Sequence, residues 1–103
     1  MGSNRRYAEA IDRRMDGRIA ERIMRSGTPY SLSDQELQLE EMPLTRDPQP
    51  SAVRVWVRYP DGPLEVTAQA VAWTSRAVAV RWRGPDDVEH RAWVWAGAVE
   101  RNH

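Results

Sequence analysis

No cysteine, lysine or phenylalanine occurs among the 103 residues of this chain. Without cysteine there is no disulfide framework, no thiolate metal site and no thiol nucleophile, which fits a reducing, cytoplasmic setting. Long apolar runs are missing too. The opening "MGSNRRYAEAIDRRMD" has no apolar leader core, and no window approaches the roughly 18 apolar residues of a membrane span. Neither secretion nor membrane insertion is expected. Nor is there an excess of charge of one sign: fifteen cations, all arginine, balance fifteen carboxylates. The totals therefore do not mark a protein that seeks polyanions. Arginine without lysine, beside five tryptophans and no phenylalanine, has the bias of GC-rich coding, so the choice of arginine carries no functional weight by itself.

The charge that is present is unevenly spread. Residues 1–27 carry +3, residues 28–52 carry −4, and the remainder +1. A chain of this length supports one modest core. Ser3 or Asn4 can cap a helix over about 4–26, along which Tyr7, Ile11, Met15, Ile19 and Ile23 recur every four residues. Each four-residue step turns about 400°, so the stripe drifts around the helix instead of forming a coiled-coil seam. At about 35 Å such a helix would overhang a small barrel, leaving its stripe to pack on its own chain or on a second copy. Ser26-Gly27 and Pro29 stop it. In "LSDQEL", Ser33 and Glu36 form a capping box with Leu32 stapled on Leu37, which predicts a second helix over about 34–41. Residues 1–42 thus read as a helical arm, and residues 43–52, with Pro43, Pro48 and Pro50, as a Pro-rich linker.

From Val53 the period changes to two. "VRVWVRY" sets Val53, Val55, Val57 and Tyr59 on one face and Arg54, Trp56 and Arg58 on the other. "PDGP", "TSR" and "GPDD" mark turns between further alternating runs. "HRAWVW" then passes through "AGA" into a short last strand at Val99. Four strands in hairpin order, a small-residue corner and a closing strand resemble the SH3-like barrel of SH3, Tudor and KOW-type modules over residues 53–101, extended here to a domain of 53–103. The fold expected is α+β, an N-terminal helical arm with a five-stranded antiparallel SH3-like barrel. In style the chain is also similar to short uncharacterised proteins of GC-rich bacteria and their phages or plasmids. The "AGA" corner lacks the proline and tyrosine of peptide-binding SH3 domains, and there is no acidic, tyrosine-rich first loop, so recognition of Pro-rich peptides is not expected. A Tudor-like resemblance would draw Tyr59, Trp73 and Trp95 into an aromatic cage.

Five indoles exceed what a core of about fifty residues holds, so some must be exposed. Alternation places Trp56 outward and Trp82 inward with Val78 and Val80. Trp93 and Trp95 share a face with Arg91, opposite Ala92 and Val94, and only one of those faces can be core. These features predict a non-enzymatic adaptor or regulator that docks a protein partner, a second copy of itself included, through Tyr7, Ile11, Met15, Ile19, Ile23, Trp56, Trp93 and Trp95. The rival expectation is nucleic-acid binding, with Arg54, Arg58, Arg81, Arg83 and Arg91 on phosphates and Trp56 or Trp93 on an unpaired base, helped by the Arg-rich helix. An inhibitor of another protein is a third. "DDVEH" (Asp86, Asp87, Glu89, His90) is the one cluster of metal-ligand types, and beside Gly84-Pro85 it reads as turn chemistry. No catalytic group, metal, cofactor or small-molecule substrate is expected.

Overall fold

A computed structural model describes residues 17–85 and 87–101. The first part of the expected helix, with Tyr7, Ile11 and Met15, lies outside the described residues, as do Asp86 and His103. The protein is α+β. Helix α1 (Gly17–Arg25) and the single-turn α2 (Asp34–Leu37) precede strands β1 (Thr45–Tyr59), β2 (Gly62–Trp73), β3 (Ala77–Arg83), β4 (Glu89–Trp95) and β5 (Val99–Arg101), with a 3₁₀ turn at Ala96–Ala98 before β5. The five strands form one antiparallel sheet in the order β4-β3-β2-β1-β5.

One face of this sheet is the core. Val53, Val55, Val57 and Tyr59 of β1 meet Leu64, Val66, Ala68 and Ala70 of β2, Val78, Val80 and Trp82 of β3, and Ala92 and Val94 of β4. Each fully buried valine or leucine contributes about 1.5–3 kcal/mol relative to exposure. Helix α1 lays Ala20, Ile23 and Met24 on the same core, so the described arm and the sheet share one apolar interior. Ile23 is buried at 8% exposure. It is therefore covered by its own chain and is not a docking residue, contrary to the sequence expectation. Ile19, 41% exposed, stays outside because it lies about 40° farther round the helix than Ile23.

The helix ends where its last turn is capped by its own chain. Ser26 donates from its backbone N–H (3.1 Å) and its hydroxyl (2.6 Å) to the carbonyl of Ile23, and its Oγ accepts the N–H of Asp61 in the β1–β2 turn. Gly27 follows at φ +153°, where an added Cβ would stand 2.8 Å from Cγ of Pro60. Gly27→Ala is expected to destabilise the fold by more than about 1 kcal/mol, through both the dihedral and the clash. Chemical denaturation checks this, with Gly17→Ala as the control, since a Cβ added at Gly17 would meet nothing within 4 Å.

Two expectations need correction. Residues 43–52 are not a linker: β1 already begins at Thr45, paired with Trp73. Between Arg46↔Ala72 and Ser51↔Ala70 the register shifts, so four residues of β1 stand against Val71 alone. Pro48 and Pro50 sit in this irregularity, where a missing N–H costs no ladder bond. The second helix does not reach residue 41. Its capping box forms in both directions, but Gln38 turns left-handed at φ 52°. The next helical positions on the face of buried Leu37 are Glu40 and Glu41, so a longer helix would bury nothing that repays its ordering.

Leu32 and Leu37 form a satellite cluster with Ala77 and half-buried Trp93. The segment leading into it bridges two strands. Tyr30 donates its N–H to the carbonyl of Arg58 on β1 (2.7 Å), and Leu32 donates to the carbonyl of Trp93 on β4 (3.0 Å). The N–H of Trp93 is returned to Oγ of Ser31 at 2.8 Å. Among the described residues no β4–β5 ladder joins the two edges of the sheet. The 30–32 segment instead draws β1 and β4 towards one another.

Candidate docking surface

Where that segment passes between β1 and β4 it leaves a groove of about 180 Å³. Its walls are Trp56, Val57 and Arg58 of β1, Pro63, and Trp93, Val94 and Trp95 of β4, with Tyr30, Leu32 and Ala98. Strand parity explains the three indoles in the lining. Trp56 points away from the Val53-Val55-Val57 face, and Trp93 and Trp95 point away from buried Ala92 and Val94. Trp56 is 50% exposed, Trp95 45% and Tyr30 56%. Three large rings, each about half exposed, thus line one groove.

Trp56, Trp93 and Trp95, expected as docking residues, come together here. The part of Trp93 facing Leu32, Leu37 and Ala77 is occupied, however. Tyr30 and Pro63 escaped sequence reasoning, because a lone tyrosine before a capping box and a proline in a turn read as loop residues. The tyrosine hydroxyl donates to Oε1 of Glu36 at 3.1 Å. That bond raises the Tyr30 pKa above its usual value. The Glu36 carboxyl is held below the usual range by the Ser33 N–H first and by the Tyr30 hydroxyl second.

The expected basic face is largely committed to the chain itself. Arg54 pairs with the nearly buried Glu65 at 2.7 Å, and Arg81 donates to Oε1 of Gln69 at 2.9 Å. Arg83 donates to the carbonyl of Asp87 at 2.8 Å. Arg91 pairs with Glu89, whose carboxyl it holds below the usual range. Arg58 differs. It is exposed on the groove wall, and no side chain among the described residues engages its guanidinium.

Tyr59 and Trp95 do not meet in an aromatic cage. Tyr59 is buried in the core, 6.4 Å from Trp82 and 5.8 Å from His90 between ring centres. Its hydroxyl accepts the Trp82 indole N–H at 3.0 Å and lies 2.6 Å from Nδ1 of His90. Gly84 makes room for that ring, since a Cβ there would lie 2.6 Å from Nε2. This part-buried contact was not foreseen from sequence, because Tyr59 and His90 are thirty-one residues apart.

Among the described residues no three His, Asp or Glu side chains are grouped to hold a metal ion, and no helix is long and apolar enough to cross a membrane. Comparison with family models, with curated proteins and with solved structures gives no match to this chain.

Proposed function

We propose that this chain is a non-enzymatic docking module, an adaptor or regulator, that holds a protein partner in the Trp56–Trp95–Tyr30 groove. A partner that it inhibits would be held in the same way. The observation that carries this reading is the pair of half-exposed indoles on the groove walls that neither described helix covers. Tryptophan and tyrosine supply large contact area for few rotatable bonds, which is why they dominate binding energy at interfaces. The strand order, with β1 between β2 and β5 and a 3₁₀ corner before β5, supports an SH3-like barrel as the scaffold. A cytoplasmic setting goes with this proposal. Nucleic-acid binding is the weaker reading, since four of its five arginines already have acceptors within the chain.

The test is site-specific photo-crosslinking from position 98 at the groove wall, in the native host, with and without Trp56→Ala. A discrete protein adduct that disappears in the variant, while the melting temperature stays within a few degrees, is the expected result. An adduct pattern indifferent to Trp56 would overturn the reading. Oligonucleotide binding that falls steeply with salt would replace it with the rival.

A further inference from the structure

Seven large apolar side chains are exposed among the described residues, and five of them fall on two surfaces: Tyr30, Trp56 and Trp95 in the groove, and Leu39 and Leu44 beside the turn after α2. The two surfaces are opposite in charge. Arg58 is the one charged side chain among the described residues of the groove wall, whereas the turn carries Glu40 and Glu41, both exposed. The run "LEEMPL" (39–44) is thus an acidic, apolar, Pro-containing strip ending in extended chain, which is the chemistry the groove would accept.

The two surfaces are also neighbours. The turn reaches the β2–β3 corner through Gln38, which accepts from Arg76 at 3.4 Å, and through Met42, whose Sδ accepts from Ser75 at 3.5 Å. The groove reaches the same corner through Ala96, next to Trp95, whose N–H donates to the Arg76 carbonyl at 2.7 Å. Complementary patches on one side of a molecule can satisfy each other twice across a two-fold axis, which closes the assembly as a dimer.

From this we infer that the occupant of the groove is a second copy of the chain, the strip 39–44 of each protomer lying against Trp56, Trp95 and Arg58 of the other. The inference rests on the docking reading above and adds the identity of the partner.

Sedimentation equilibrium of the full chain tests it, with Arg58→Glu, with the double variant Glu40→Arg/Glu41→Arg, and with the two variants mixed. The wild type is expected to dimerise with concentration. Each variant alone should dimerise at least roughly tenfold more weakly, since like charges then meet. The mixture should recover the dimer, because the contact between the two reversed surfaces regains opposite charges and the other keeps its native pair. All the altered residues are exposed, and circular dichroism melting verifies that the variants fold. A wild type that stays monomeric to its solubility limit, or a dimer indifferent to both substitutions, overturns the inference. If the chain is monomeric but still forms the Trp56-dependent adduct, the docking function stands and its partner is a different protein.

Discussion

Trp82→Ala is expected to cost about 3–5 kcal/mol, enough to leave a domain of typical stability largely unfolded under mild denaturant. The indole is 4% exposed, sits edge-on to Tyr59 and donates to its hydroxyl. Removing it loses apolar burial, opens a cavity beside Val78 and Val80, and leaves the Tyr59–His90 bond without the indole that packs against it. Trp56→Ala removes the same group from a strand of the same sheet, yet it should shift stability by less than about 1 kcal/mol, because half of that side chain already faces water. Urea unfolding followed by far-UV circular dichroism compares the two directly. A large loss on Trp56→Ala would make that ring structural and remove the groove's claim to be a binding surface.

Stability should also collapse at alkaline pH, through Tyr59. Burial pushes its pKa well above the usual value, and the Trp82 hydrogen bond only partly offsets this. A raised folded-state value means that the stabilising neutral phenol is fully present below the unfolded pKa of about 10. Above that the unfolded chain ionises while the folded one does not, and stability falls by up to about 1.4 kcal/mol per pH unit until the folded value is passed. Tyr30 shifts in the same direction through Glu36, but it is exposed and solvent screening leaves it little leverage. Tyr59→Phe should therefore flatten the alkaline slope. It should also cost about 1–3 kcal/mol at neutral pH, since the buried Trp82 N–H loses its acceptor and the Tyr59–His90 bond is lost. A slope unchanged by that substitution would mean another group governs the alkaline loss.

How much could be read from sequence follows the strength of the local pattern. In β1 the valines hold one parity without interruption, so the inward Val53, Val55 and Val57 and the outward Trp56 were legible from the alternation alone. β4 was ambiguous because both parities are apolar. What decides it is remote: α1 joins the core on the face of Ala92 and Val94, while Leu32 and Leu37 take only part of Trp93 on the other. The capping box of Ser33 and Glu36 was legible because it is a contact of three residues' span. The length of α2 was not, since it depends on what the following turn can bury. Pro48 and Pro50 argued against a strand, and only the local shift against Val71 lets β1 run through them. Of the groove, its indoles were visible in the sequence, but their convergence depends on Tyr30 and Leu32 bridging β1 and β4.

If the groove docks a partner, Trp56 and Trp95 stand open to solvent until it is filled, while Trp82 is sealed within the fold throughout. Hydrogen exchange of the indole N–H groups, resolved by NMR in dilute chain and in the assembled complex, measures this ring by ring. Fast exchange at Trp56 and Trp95 that slows on complex formation, with Trp82 slow throughout, is the result predicted. Protection of all five indoles in the dilute monomer, or exchange at Trp56 and Trp95 unaltered by assembly, would contradict it.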